Sequence, residues 1–119
     1  MYFEIRAGCH LKNLVVADKD NLSGALDVYF FNANPTSTTV TDNGTLDVDD
    51  ADLLNIVARV KVVATDYTSF NDNGVAQVEV TKEVQGNNSK SLWAVVVSRD
   101  TKTYTVTDAL QFKVAFIQE

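Results

Sequence analysis

The chain has 119 residues, of which 45% are hydrophobic and 22% are charged, and its net charge is −6 at pH 7. This length supports one hydrophobic core but not two ordinary domains, so we expect a single domain over residues 1–119. The composition excludes a disordered or low-complexity chain. The acidic charge disfavours binding to nucleic acid, because a net negative protein repels the phosphate backbone.

The cysteine content and the N-terminal segment indicate the compartment. Cys9 is the only cysteine, so no internal disulfide can form, which fits folding in a reducing cytoplasm. Residues 1–6 mix charged and apolar side chains, and no segment reaches the ~18 apolar residues of a membrane span. We therefore expect neither a signal peptide nor a membrane partner.

The apolar pattern has a period of two residues along most of the chain. The sequence contains 18 Val and 12 Thr but only 4 Glu, a balance that favours β-sheet over helix. Alternation, or a short apolar run, predicts seven strands. In chain order they lie near Tyr2–Ala7, Leu14–Asp18, Leu26–Phe31, Ala58–Ala64, Val75–Thr81, Leu92–Val97 and Ala109–Ile117.

Turn and cap residues separate these strands. Asn43-Gly44 and Asn73-Gly74 predict tight turns, because both residue types tolerate a positive φ. Asp49 or Asp50 can cap a helix of two or three turns. Its apolar stripe would be formed by Leu53, Leu54, Ile56 and Val57. The predicted fold is all-β: a two-layer antiparallel β-sandwich, with a jelly roll as an open variant, of seven to eight strands and one short helix.

Sites for catalysis and metal binding receive little support. Cys9 and His10 are adjacent in the sequence, and adjacent side chains on an extended strand point to opposite faces, so this pair cannot form a dyad. The chain lacks paired zinc-ligand spacings, a phosphate-binding glycine loop and a nucleophile-elbow motif, so we expect no enzyme and no cofactor. A small hydrolase that uses Asp side chains stays open as a weaker alternative.

The acidic stretch 41–52 is a candidate for binding calcium. As an EF-hand loop it fails, because Thr39 and Thr41 occupy positions that need carboxylates. A looser calcium site remains an alternative to helix capping by the same residues. Its candidate ligands are Asp47, Asp49, Asp50 and Asp52.

Six segments carry a pattern beyond strand periodicity: Gly24–Thr36, Thr41–Gly44, Asp50–Leu53, Leu92–Arg99, Thr103–Thr105 and the closing strand through Phe116. Together they resemble small structural proteins of the virions of tailed phages. The resemblance covers most of the chain beyond Gly24, although Asp100 and Lys102 stand where the family has Gly and Pro.

The resemblance implies a β-rich subunit, assembled in the host cytoplasm, that decorates or joins the capsid or tail. Its partners would be further copies of itself and other virion proteins. Tyr29 and Phe31, which alternate with the inward residues of their strand, then form the expected interface, with Pro35 holding the next loop. Covering of these aromatic rings by residues 32–40 of the same subunit is the alternative.

A ligand-binding sandwich is the competing function. Trp93 or Tyr104 could stack against a carbohydrate, and calcium could bind at the rim of the sandwich. Trp93 lies in the most apolar strand, where core packing is its expected role. Tyr104 lies among threonines and is the better-exposed candidate.

Overall fold

A computed structural model describes residues 2–4, 9–40, 46–84, 91–104 and 109–118. These residues form eight strands, one α-helical turn and a 3-10 turn at Ala64–Asp66. The elements are β1 (Tyr2–Glu4), β2 (Cys9–Asp18), β3 (Leu26–Phe31), α1 (Asp50–Leu53), β4 (Ile56–Val62), β5 (Tyr67–Phe70), β6 (Asn73–Val84), β7 (Ser91–Ser98) and β8 (Leu110–Gln118).

The strands form two antiparallel sheets of four strands each. Sheet A has the order β1-β7-β3-β4, and sheet B has the order β5-β6-β2-β8. Strand β2 carries a β-bulge between Leu11 and Asn13, and β4 carries one where it pairs with Phe30 and Phe31 of β3. The all-β, two-layer antiparallel sandwich predicted from the alternating pattern is confirmed.

The hydrophobic core lies between the two sheets, and β3, β4, β6 and β7 contribute alternate residues to it. Sheet A supplies eight buried residues: Leu26, Val28, Phe30, Ala58, Val60, Val62, Leu92 and Ala94. Sheet B supplies five: Leu11, Leu14, Val16, Ala76 and Val80. The inward residues of β8 are only partly buried against this core.

The predicted helix is wrong in length and in its apolar stripe. Only one turn forms, and Leu53 and Leu54 are 53% and 94% exposed rather than packed. Ile56 and Val57 belong to β4, because pairing with β3 satisfies their backbone groups in the sheet. The predicted cap is confirmed, since Oδ2 of Asp49 accepts the N–H of Ala51 at 2.9 Å.

A hairpin forms near the second predicted turn, but its bend lies two residues earlier. Phe70 pairs with Asn73, which leaves Asn71 and Asp72 as the two turn residues, and Asn71 has φ = 33°. Asn73 and Gly74 begin β6. Strand β5 was not predicted, because four residues are too few to establish a period. The Asn43-Gly44 turn lies outside the described residues.

Candidate functional site: the outer face of sheet A

The outer face of sheet A is formed by β4, β3 and β7, and register sets its side chains in rows. Residues directly opposite on antiparallel strands share a face of the sheet. The rows are Lys61–Asp27–Val97, then Arg59–Tyr29–Val95, then Phe31–Trp93. Tyr29, Trp93, Val95 and Val97 are half-buried, whereas Arg59 and Lys61 are exposed. The face therefore has an aromatic and aliphatic centre with cations along one edge.

Arg99 adds a third cation to this face. Its Nε donates to Oδ2 of Asp27 at 2.7 Å, and its Nη2 donates to Oη of Tyr29 at 3.0 Å. Asp27 is 6% exposed, and its other carboxylate oxygen, Oδ1, is buried without a hydrogen-bond partner in the described part of the chain. The hydrogen bond that Arg99 donates to Asp27 raises the pKa of Arg99 further above its usual value. Arg99 is thus held over Tyr29 as a permanent cation.

Among the predicted interface residues, only Tyr29 lies at the surface of this face. Phe31 is 0% exposed, so its prediction as an interface residue is wrong and the subunit itself covers the ring. The chain leaves the sheet directly after Phe31, and Asn32 N–H donates to the carbonyl of Asn55 at 2.8 Å. Both ends of the segment 32–55, which leaves sheet A and returns to it, therefore lie beside the ring. Pro35 is half-buried within that segment.

Residues 32–55, described except for 41–45, leave sheet A and return to it, and we call them the arm. Thr39 and Asp47 join its two sides through a pair of backbone hydrogen bonds. Asp52 is buried in its interior, where Oδ2 accepts the Ser37 N–H and the Thr38 hydroxyl. Leu54 lies exposed at the surface of the arm.

The predicted calcium ligands do not converge. Asp49 caps α1 and Asp52 binds donors of the arm, so the chain's own N–H and O–H groups use both carboxylates. Asp47 and Asp50 are exposed. Within the described ranges, no three His, Cys, Asp or Glu side chains come together to hold a metal ion. The structure therefore gives the calcium hypothesis no support.

The two proposed stacking residues are both half-buried. Trp93 lies on the outer face of sheet A, between the buried Leu92 and Ala94, so its expected packing in the core is wrong. The hydroxyl oxygen of Tyr104 is buried beside Gly24, so this residue is less accessible than predicted. Exposure in a strand depends on the parity of the position, and local hydrophobicity does not reveal that parity.

Tyr104 belongs to a group of polar side chains at one end of the sandwich. Burial, with the nearby carboxylates of Asp18 and Asp100, raises the pKa of Tyr104 to about 12. Tyr67 donates its hydroxyl to the carbonyl of Gly24 at 2.8 Å, and burial raises its pKa as well. Each of these contacts joins two parts of the chain, so we interpret this group as structural.

The sequence reasoning missed Asp18, which holds the loop between β2 and β3. It is 1% exposed and accepts backbone N–H groups from Asp20, Leu22 and Ser23. An Asp at the end of an apolar run, just before Asn and Ser, is the available signal, because its side chain can bond the next backbone groups of a turn.

Two further features belong to β2. Cys9 and His10 are consecutive residues of this strand, the extended arrangement that argues against a dyad. At the β2 bulge, a recess of about 140 Å³ is lined by Lys12, Asn13, Glu79, Val80 and Thr81. This volume is below the ~300 Å³ at which small-molecule sites usually begin.

The outer face of sheet A is therefore the described surface that combines apolar area with organised charge. No helix among the described residues is long and apolar enough to cross a membrane. Comparisons with protein-family models, with curated proteins and with solved structures find no match to this chain.

Proposed function

We propose that the protein is a non-enzymatic structural subunit of a phage virion, which assembles with its own copies and docks on a capsid or tail. The observation that carries the proposal is a complementarity between two surfaces of the same chain. One is the outer face of sheet A, and the other is the arm. A contact between the arm of one copy and the face of the next would use both.

The outer face of sheet A supplies the receiving surface. Tyr29, Trp93, Val95 and Val97 present apolar and aromatic area there, and aromatic residues and Arg are enriched at protein interfaces. The chain has only 10 basic residues against 16 acidic ones. Nevertheless, Arg59 and Lys61 lie exposed along one edge of this face, and Asp27 balances the charge of Arg99 there, so this edge favours an acidic partner.

The arm combines exposed leucines with carboxylates, which is complementary to the outer face of sheet A. Leu54 is 94% exposed and Leu53 is 53% exposed. Large apolar side chains exposed together to solvent indicate a surface that contacts another molecule. The carboxylates of Asp47, Asp49 and Asp50 lie close to them in the sequence and are exposed. Leucines flanked by carboxylates suit a surface of valines and aromatic rings flanked by cations.

A contact of one surface with a different surface joins copies head to tail. Such heterologous contacts build rings when the rotation closes and filaments when it does not. This is the behaviour expected of a subunit that forms part of a virion. Because the charges lie at the rim, the contact should weaken as the salt concentration rises.

The test is light scattering coupled to size exclusion over a range of protein and salt concentrations. We expect oligomers at high concentration, and a roughly 10- to 100-fold weaker association for Leu54→Ser, the range that corresponds to burying one leucine. Arg59→Glu should weaken association and reverse its salt dependence. Matched controls are Phe70→Ser, an exposed ring on sheet B, and Lys82→Glu, an exposed cation of β6.

Two results would contradict the proposal. A chain that stays monomeric up to millimolar concentration has no self-assembly to explain. Association that Phe70→Ser weakens as strongly as Leu54→Ser does would mean that general hydrophobicity, rather than the arm, drives it.

Carbohydrate binding is the second candidate, and the position of Trp93 favours it. Trp93 and Tyr29 share the outer face with the Asp27–Arg99 pair, so aromatic rings lie beside polar groups that could bind hydroxyls. A glycan array tests this function. Binding that Trp93→Ala abolishes while the protein remains folded would favour it over assembly.

A further inference from the structure

Strand β8 forms one edge of sheet B, and it is the longest edge strand of the described sheets. It spans nine residues, whereas the other edge strands β1, β4 and β5 span three, seven and four. Only β2 pairs with it among the described strands. A long edge presents unpaired backbone N–H and C=O groups, which natural proteins usually protect with charges, bulges or short length.

The inward side chains of β8 are incompletely covered. Leu110, Phe112, Val114 and Phe116 face the core and pack against it, yet all four are only half-buried. The positions between them are exposed, and Lys113 is the only charged residue of the strand. Among the described residues, the edge therefore combines a partly open apolar row with backbone groups that no second strand pairs.

The sequence of β8 is complementary to itself in the antiparallel direction. Val114 is the middle residue of Leu110–Gln118, so a two-fold axis at Val114 aligns the whole strand with a second copy. In that register Phe112 lies opposite Phe116 of the other copy, twice, and Val114 lies opposite itself. Lys113 lies opposite Ala115, so no like charges meet.

Strand β4, the other edge strand of more than four residues, is not complementary to itself in the antiparallel direction. Its middle residue is Arg59, so the same operation would place two exposed guanidinium groups directly opposite each other. Like charges directly opposite destabilise a strand pair. Charge thus protects the β4 edge against self-pairing, whereas no like-charge pair arises between the described residues of β8.

We propose that β8 pairs with β8 of a second copy, antiparallel and centred on Val114, to join two B sheets into one sheet of eight strands. The axis is perpendicular to the sheet, so the two apolar rows lie on the same side and cover each other at the junction. The partner is a second copy of this chain. This contact specifies one of the self-contacts of the proposed function and uses a surface other than the arm.

Charge variants at Ala115 test the register, because this exposed residue lies opposite Lys113 of the other copy. Ala115→Lys creates two like-charge pairs per dimer and should weaken dimerisation, whereas Ala115→Glu creates two opposite pairs and should strengthen it. Two cross-strand pairs correspond to a change of about 2- to 30-fold in Kd. Adding Lys113→Glu to Ala115→Lys should restore the affinity.

The controls are Gln77→Lys and Gln77→Glu. Gln77 is exposed on β6, which is separated from the edge by β2, so these variants alter the charge of the same sheet without approaching the proposed contact. Kd is measured by sedimentation equilibrium in the unaltered chain and in Leu54→Ser, which weakens the arm contact. As a second measurement, Val114→Cys should form a disulfide-linked dimer on oxidation, because paired Cα atoms of antiparallel strands lie ~4.5–5.5 Å apart.

The outcomes separate this inference from the proposed function. Dimerisation that follows the charge at position 115, with rescue by Lys113→Glu, supports the β8 contact. Assembly that ignores position 115 and gives no Val114→Cys dimer overturns the β8 contact and leaves the proposed function intact. A chain that is monomeric under all conditions overturns both.

Discussion

Asp18 provides the sharpest test of how this sandwich holds its loops. It ends β2 and is 1% exposed, and its carboxylate accepts three backbone N–H groups of the following loop. Oδ1 accepts from Asp20 at 3.1 Å, and Oδ2 accepts from Leu22 at 2.7 Å and Ser23 at 2.8 Å. Asn21 and Ser23 have φ of 54° and 52°, so the loop holds two non-glycine residues in the left-handed region. The carboxylate stabilises this conformation against its backbone strain.

The expected cost follows from the number of bonds lost. Asp18→Asn can retain the bonds of one oxygen, but its NH₂ group then faces the N–H of Asp20, so at least one charge-assisted bond is lost. The free energy of unfolding should fall by about 1.5–3 kcal/mol. Asp18→Ala loses all three bonds and should cost about 3–5 kcal/mol, since the loop is only partly buried and water reaches some of the N–H groups. For a chain of this length, 1 kcal/mol corresponds to about 4 °C in Tm.

Urea unfolding followed by circular dichroism measures these differences. Asp72→Asn is the matched control, because it removes the same charge from an exposed turn. A cost for Asp18→Asn below about 0.5 kcal/mol, or equal to that of Asp72→Asn, would refute the role assigned to the three bonds.

Two further predictions concern the tyrosines at the same end of the sandwich. Gly24→Ala places a Cβ against the hydroxyl of Tyr104 and should cost about 1–3 kcal/mol, and Tyr104→Phe in the same chain should recover much of that cost because it removes the clashing atom. An equal cost in the single and double variants in urea unfolding would contradict this contact. Burial raises the pKa of both Tyr67 and Tyr104, so above pH 10 the unfolded chain releases protons that the folded chain retains. The free energy of unfolding should therefore fall as the pH rises from 10 towards 12, and the Tyr67→Phe/Tyr104→Phe variant should show a smaller fall; an unchanged pH profile in that variant would count against the raised pKa values.

The helix region shows why local pattern has limits. Leu53, Leu54, Ile56 and Val57 have the spacing of an apolar helical stripe, and the cap at Asp49 is formed as expected. Nevertheless the last two residues are drawn into β4, because β3 lies beside them in the folded sheet. The competing partner is about 25 residues away in the sequence. A pattern read over one helical turn contains no information about it.

The predicted interface residues show a second limit of prediction from local sequence pattern. Alternation correctly places Tyr29 and Phe31 on the face opposite Phe30, but it does not say what covers that face. Phe31 is buried because the chain leaves and re-enters the sheet beside it, at Asn32 and Asn55. Tyr29, two residues earlier, stays at the surface and meets Arg99 instead.

The sequence by itself determined the all-β class, the approximate positions of the seven predicted strands and the inward side of β3, β4, β6 and β8. These properties depend on steric preferences of β-branched residues and on a period of two, which act between near neighbours. The order of strands, the edge position of β8, the cation-bordered face of sheet A and the burial of Phe31 and Asp18 were decided only by the tertiary structure. Each of them depends on which distant segments pair, and that choice comes from packing of the whole core rather than from any local run of residues.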